Sequence, residues 1–260
     1  MTTLFCDLDN TIIFSHRKML DAPKRVAERL NGAEQSYITE RTFRFLSGRK
    51  DVSVIPVTAR TVCQYERVKG ILEAFHCEYA LLMNGAVLIK NGAVDQSWLD
   101  ESAEMVKCSA EKMNEAAQWL KNEGTAELKY HDIFLAYAKA PNPEELSNSI
   151  NRVFGRSLIY SFFDSRKVYC APAVLTKGNA VKRLSNLIKP EMSFAVGDSE
   201  NDLSMFDHVD VPIVPQKFEA MVSNQRKVIA REDQVLSDAA CDAIETLFER
   251  IGNTAADERE

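Results

Sequence analysis

Four polar clusters in this sequence carry residue types that could do chemistry together. Asp7 and Asp9 stand two apart directly after an apolar run at 3–6, and Thr11 follows. A pair of carboxylates suits covalent phosphoryl transfer, one attacking phosphorus and the other exchanging a proton with the leaving oxygen. On an extended chain two such side chains diverge, so this reading requires a turn after the strand; acids that merely cap the next turn are the plainer account of the pair. Asp198 and Asp202, four apart at a helix start, share a face. They fit helix capping through the dipole and equally a hard-oxygen site for magnesium, with Asn201 offering an amide between them. Thr58 follows Pro56-Val57 before a helical stretch, where its hydroxyl and free backbone N–H groups could cap the helix or hold a phosphate oxygen. Arg60 has two readings, reaching a substrate or pairing with a local acid. Lys177 opens a helix, where the macrodipole disfavours a cation; that points to service to a ligand, while a solvated surface residue is the plainer account of a lone lysine.

These clusters need a scaffold that brings strand ends together. Apolar runs at 3–6, 52–57, 79–83, 192–196 and 211–214 read as buried strands. Helical patterns are expected over 22–30, from Thr39 as N-cap to about 47–48, and over 61–75, 177–188 and 239–251. Strands alternating with helices predict an open parallel sheet covered by helices, with ligands at the carboxyl ends of the strands. Between residues 86 and 166 the pattern changes. Residues 87–94 form a hairpin signal around Asn91-Gly92. A long helix is expected over 102–122, a strand over 128–138, a helix over 143–154 and strands over 158–163 and 167–170. Short turns between strands make this stretch an α+β insert. Residues 252–260 are expected to form a frayed acidic tail.

The 260 residues are enough for one large domain or two modest ones, and a net charge of −6 argues against non-specific binding to nucleic acid or an anionic membrane. No stretch reaches the length of a membrane span, and the N-terminus carries no basic segment of a signal peptide. The six cysteines (Cys6, Cys63, Cys77, Cys108, Cys170 and Cys241) form no CxxC pair. They read as reduced, mostly buried thiols of a cytoplasmic protein, with no zinc site.

Taken in order, these residues resemble the haloacid dehalogenase-like phosphatase superfamily. Asp7-Leu8-Asp9-Asn10-Thr11 is similar to its DxDxT motif, Thr58 to the motif II hydroxyl, Lys177 to the motif III lysine, and Gly197-Asp198-Ser199-Glu200-Asn201-Asp202 to the GDxxND form of motif IV. The segments Leu82-Met83-Asn84-Gly85-Ala86 and Tyr169-Cys170-Ala171-Pro172 resemble the borders of a type IIB cap in the Cof and sucrose-phosphatase branch. Two positions depart from the frequent pattern: Asn10 stands where many members have glycine, and Thr58-Ala59-Arg60 replaces Thr-Gly-Arg.

The resemblance implies an α/β fold, with a Rossmann-like parallel sheet core at 1–85 and 167–260 and an inserted α+β cap at 86–166. It implies Asp7 as nucleophile and Asp9 as general acid and base. It implies substrate or phosphate binding by Thr58, Ala59, Arg60, Asn84, Lys177 and Asn201, and a Mg2+ site at Asp7, Asp9, Asp198 and Asp202. Asp9 would contribute its backbone carbonyl, Asp202 support from behind, and Asn201 orientation of Lys177 or Asp198. The implied reaction is hydrolysis of a small phosphomonoester, a sugar phosphate or related metabolite, by a monomer or homodimer. A phosphomutase or phosphotransferase using the same aspartyl-phosphate is the enzymatic rival, and a non-catalytic scaffold is the other. Lys129, His131, Asp132 and Arg166 are candidate cap contacts. Trp98 and Trp119 are expected to pack, and His16 to lie near the pocket mouth or on the surface.

Overall fold

A computed structural model of the chain describes residues 1–18, 20–123 and 128–257. In chain order the elements are β1 (Thr2–Cys6), β2 (Phe14–Ser15), β3 (Lys24–Leu30), β4 (Ala33–Thr39), α1 (Glu40–Gly48), β5 (Val52–Pro56), α2 (Val62–Tyr65), α3 (Lys69–Glu73), β6 (Tyr79–Leu82), β7 (Val87–Lys90), β8 (Ala93–Val94), α4 (Gln96–Val106), α5 (Ala110–Glu123), β9 (Lys129–His131), β10 (Leu135–Lys139), α6 (Pro143–Phe154), β11 (Ile159–Asp164), β12 (Lys167–Pro172), α7 (Lys177–Ile188), β13 (Met192–Val196), α8 (Leu203–Phe206), β14 (Val211–Pro215), β15 (Val228–Ala230) and α9 (Leu236–Asp257).

The apolar runs become a five-stranded sheet in the order β15-β14-β13-β1-β5, every pairing parallel. Both faces are buried, as a parallel sheet requires. Leu4 and Cys6 of β1 face one core with Leu46 of α1 and Ile244 of α9, while Phe5 faces the other with Val181 and Leu184 of α7 and Phe206 of α8. Because β1, β5 and β13 run the same way, Asp7, Thr58 and Asp198 all emerge at one end of the sheet.

A second sheet, β11-β12-β10-β9, is antiparallel. Side-chain alternation sends Val168 and Cys170 of β12 toward α5 and α6, into a core with Met113, Leu120 and Ile150. The other face carries an aromatic row across all four strands. His131 stacks on Tyr137, Tyr137 meets Tyr169, Tyr169 stacks on Phe162 at 4.8 Å, and Phe162 stacks on Tyr160.

Several local expectations are corrected. Residues 22–30 are not a helix: β3 pairs with β4 in a hairpin, turned by Asn31 and Gly32 at φ +51° and +80°. This is the same positive-φ turn that joins β7 to β8 at Asn91-Gly92. Residues 79–82 touch the parallel sheet through a single bridge, Val57 to Leu81, and otherwise pair antiparallel with β7. The helix expected over 61–75 is two short helices, because the chain tightens at Val68, whose N–H bonds the Tyr65 carbonyl. The helix expected over 102–122 breaks into α4 and α5 around Ser109, whose hydroxyl donates to the Leu158 carbonyl at 2.8 Å. The single strand expected over 128–138 is the hairpin β9–β10, with Asp132 at φ +50°.

At the C-terminus α9 runs on through Asp257, and residues 258–260 of the expected tail lie outside the described residues. Of the cysteines, Cys6, Cys170 and Cys241 are buried, whereas Cys63 and Cys108 are exposed; none forms a disulfide. No helix among the described residues is long and apolar enough to cross a membrane.

Candidate active site

The turn that the Asp7/Asp9 pair requires is present. The Leu8 carbonyl accepts from the N–H groups of Thr11, Ile12 and Ile13 at 3.3, 3.0 and 2.9 Å. That tight fold-back brings both carboxylates to one pocket. Asn10 sits in it at φ +59°, a conformation that glycine and asparagine tolerate better than other residues. The departure from glycine at this position is thereby accounted for. Thr11 is fully buried, with its hydroxyl 3.2 Å from Asp7 Oδ2 and 3.4 Å from Asp198 Oδ1.

Lys177 is a deeply buried cation of the site. Thr176 caps α7 through Asn179 N, which aims the first helical residue inward. Lys177 Nζ lies 2.5 Å from Asp7 Oδ1 and 2.5 Å from Asp202 Oδ1. Burial alone would favour a neutral amine, but the charges of Asp202 and Asp7 outweigh it and hold Lys177 protonated. The other oxygen of Asp202 accepts from Ser199 N and Ser199 Oγ at 2.9 and 2.7 Å. Gly197 makes room for this carboxylate: a Cβ there would stand 2.4 Å from Asp202 Cβ.

Asp7, Asp198 and Asp202 each offer a carboxylate oxygen within 4.8 Å of the others. Burial, with Asp202 beside it, pushes the Asp198 carboxyl up to about 7. Burial likewise pushes Asp7 well above the carboxylate range, against the pull of Lys177. Three ionised acids against one lysine would leave two negative charges unbalanced, and a divalent cation such as Mg2+ would supply that charge to this hard-oxygen set. Asp7 and Asp198 are placed to hold it. Asp202, with both oxygens engaged, steadies Lys177 and the loop from behind.

Arg60 resolves toward a local acid. Its Nε and Nη2 donate to Asp9 Oδ2 and Oδ1 at 2.8 and 2.7 Å, and Nη2 also reaches Glu28 Oε2 at 2.9 Å. Against the desolvation of the pocket wall, these charge-assisted bonds hold the Asp9 carboxyl below its ordinary value. Glu28 is itself buried and accepts from Arg67 Nε at 2.6 Å.

Thr58, Ala59, Arg60, Lys177, Asp198 and Asn201 line the same pocket as Asp7 and Asp9, around a volume of about 110 Å³. Thr58 is fixed by its N–H to Leu81 O and accepts from Arg60 N on its hydroxyl. Asn84 lies behind the wall rather than on it. Fully buried at φ +55°, it pairs with Asn201 and donates to Tyr160 Oη at 2.7 Å. Asn201 therefore ties the GDxxND loop to Asn84 and Tyr160, and orients neither Lys177 nor Asp198.

The contacts that the insert makes with the pocket differ from those expected. The antiparallel sheet presents Phe162, Phe163, Asp164, Lys167 and Tyr169 to the pocket. Lys129, His131, Asp132 and Arg166 do not line it. The alternation of β12, which buries Val168 and Cys170 on the far face, was the sequence signal for Lys167 and Tyr169. Gln64 and Arg67, from the α2–α3 segment, were hidden by the reading of one continuous helix. Trp98 is packed as expected, its indole N–H on Gly85 O and Arg183 3.5 Å above its ring, and Trp119 meets Phe154. His16 bonds Gln35 O at the surface.

A family model described as haloacid dehalogenase-like hydrolase matches residues 63–246, a stretch that contains Lys177, Asp198 and Asp202. Solved structures share the fold at low identity. The sucrose-phosphatase of Synechocystis sp. PCC6803 is 15% identical with a TM-score of 0.60, over 94% of this chain and 96% of that one. A HAD subclass IIB sugar phosphatase is 12% identical with a TM-score of 0.66, over 95% and 99%. The trehalose-6-phosphate phosphatase of Aspergillus fumigatus is 14% identical with a TM-score of 0.50, over 95% and 92%. The family match spans most of the chain, and the parallel sheet with its acid-bearing strand ends accords with it: this chain belongs to the haloacid dehalogenase-like hydrolases.

Proposed function

We propose that the chain is a Mg2+-dependent phosphatase that hydrolyses a small phosphomonoester, a sugar phosphate or related metabolite, through an aspartyl-phosphate on Asp7. One observation carries the reading. Lys177 joins Asp7 to Asp202 at 2.5 Å each, in a pocket that also holds Thr58, Asp9 and Asp198. A structural protein gains little from burying that many charges. The similarity in fold to a sucrose-phosphatase and a subclass IIB sugar phosphatase supports the substrate class.

In the first half-reaction an Asp7 oxygen attacks phosphorus, the bond from phosphorus to the ester oxygen breaks, and Asp9 gives that oxygen a proton. In the second, Asp9 takes a proton from water as the water oxygen attacks phosphorus. Inorganic phosphate leaves and the Asp7 carboxylate is restored. Thr58 and Lys177 hold phosphoryl oxygens and offset their charge. The Arg60 clamp favours ionised Asp9, the form needed for the second half; for the first half Arg60 yields one oxygen, and Asp9 carries the proton it took from water in the preceding turnover. Bound at Asp7 and Asp198, Mg2+ would offset the charge of the transferring group.

We assign the role of cap to the unit from α5 to β12 rather than to all of 86–166, because Leu88 of β7 and Trp98 of α4 pack with Phe5 and Val181 in a core of the parallel sheet. The unit closes the pocket with Tyr169 and Lys167 and is latched to the rest of the chain through Tyr160 to Asn84 and Tyr137 to Gln64. The test is a phosphate-release screen over phosphorylated sugars, polyols, glycerates and nucleotides. Release from a monoester with Mg2+ alone is expected. Turnover that depends on an added bisphosphate activator and releases no phosphate would instead identify a mutase.

A further inference from the structure

The pocket wall carries cationic donors that find no acceptor among the described residues. Lys177 is committed to Asp7 and Asp202, and Arg60 to Asp9 and Glu28. Among the described residues Arg67 bonds through its Nε alone, to Glu28. Lys167, half-buried on β12, makes no ion pair within 4.0 Å among the described residues. Its ammonium lies 5.6 Å from the centre of the Tyr137 ring. Both residues line the pocket from opposite walls, Arg67 between α2 and α3 and Lys167 on the antiparallel sheet.

The Lys167 ammonium and the Nη groups of Arg67 are hydrogen-bond donors with no acceptor among the described residues, and each loses hydration in a half-closed cleft. Burial lowers the Lys167 pKa, with Asp9 and Asp164 opposing. Asp164 faces Lys167 across the β11–β12 pairing and takes a hydrogen bond from Ser165 Oγ at 3.0 Å. It supplies an acceptor beside the cation without contacting it. A neutral sugar would satisfy Asp164 through a hydroxyl but give these cationic donors no charged acceptor, and the stronger charge-assisted bonds would be lost.

Resting on the phosphatase reading above, we propose that the leaving group of the substrate carries a second anionic group, a carboxylate or a second phosphoryl, received by Lys167 and Arg67. The scissile phosphoryl occupies the inner end at Asp7, Thr58 and Lys177. A hydroxyl of the leaving group bonds Asp164, and the second anion lies between Lys167 and the free amino groups of Arg67. Lys167 is thus a specificity-determining residue, and the substrate class is a phosphorylated sugar acid, hydroxy acid or bisphosphate rather than a neutral sugar phosphate.

Matched pairs of esters test this. 3-Phosphoglycerate against glycerol 3-phosphate differs by the carboxylate, and fructose 1,6-bisphosphate against fructose 1-phosphate by the second phosphoryl. Phosphate release is followed with the wild-type chain and Mg2+, and affinity by calorimetry on the Asp7→Asn variant. The anionic member of at least one pair is expected to be preferred by about tenfold or more in kcat/KM and in affinity, as charge-assisted bonds to two cations would give. Whichever pair shows the preference identifies the anion. Lys167→Gln is expected to reduce that preference about tenfold, and Lys167→Arg to restore most of it. Equal or absent binding of both members of both pairs overturns the proposal, as does a preference that survives Lys167→Gln. Anion-selective binding without release of phosphate from any ester would retain the second-anion site and reject the phosphatase reading.

Discussion

Arg60 grips both carboxylate oxygens of Asp9 across 51 residues of sequence, at 2.8 and 2.7 Å. Glu28, from the β3–β4 hairpin, holds the same guanidinium at 2.9 Å. The residue proposed to exchange protons with substrate is therefore positioned by a partner that a third element positions in turn. Arg60→Ala is expected to lower kcat/KM by about a hundredfold, the lower end of general acid–base contributions, with circular dichroism unchanged. Arg60→Lys should not recover this, since an ammonium cannot span both oxygens. Wild-type rates in Arg60→Ala would remove Arg60 from the mechanism.

Asp7→Asn is expected to abolish turnover and leave the fold intact, because the amide is nearly isosteric but a poor nucleophile. Steady-state phosphate release and a thermal melt, measured together, check both halves of the statement. Retained activity would mean that another group attacks phosphorus.

Excess chelator is expected to stop phosphate release, and added Mg2+ to restore it. Mg2+ should also raise the melting temperature of the wild-type chain, by mass action on the folded state. Asp198→Asn should lose most of that rise. An unchanged response in the variant would place the cation elsewhere.

Gly197→Ala is expected to cost about 1–3 kcal/mol in urea denaturation, the range for overpacked sites. The new Cβ would stand 2.4 Å from Asp202 Cβ, so Asp202 must move and Lys177 lose one partner. Gly48→Ala meets nothing within 4 Å and, like Gly197, has no positive φ, so it serves as the control for loss of a glycine without the clash.

Stability at acid pH should report on Glu28. Although burial works against it, its bonds to Arg60 and Arg67 hold its pKa below the ordinary value of 4.5. Its contribution is thus fully present above about pH 4.5 and is lost as pH falls through the lower folded-state value. Glu28→Gln is expected to melt below the wild type at neutral pH, with the gap narrowing as pH drops below 4.5. A gap constant from pH 7 to 3 would contradict the ion-pair account.

The sequence by itself determined the elements whose signals are local. α6 and α7 fall at residues 143–154 and 177–188 as the pattern required, and β13 at 192–196, because a proline or a capping threonine starts each helix and an unbroken apolar run has no other way to bury itself. The same locality exposed Asp7, Thr58, Lys177 and Asp198, each at a strand end or helix start, and the family to which they point. Tertiary structure decided which charges meet. Residues 24–30 read as a helix from their own spacing, and only pairing with β4 across Asn31-Gly32 makes them a strand that delivers Glu28 to Arg60. Lys167 became a pocket residue because β12 alternates over a core packed by α5 and α6. A side chain's secondary structure is written in its neighbours along the chain, whereas its electrostatic partners are set by distances in space that no local pattern encodes.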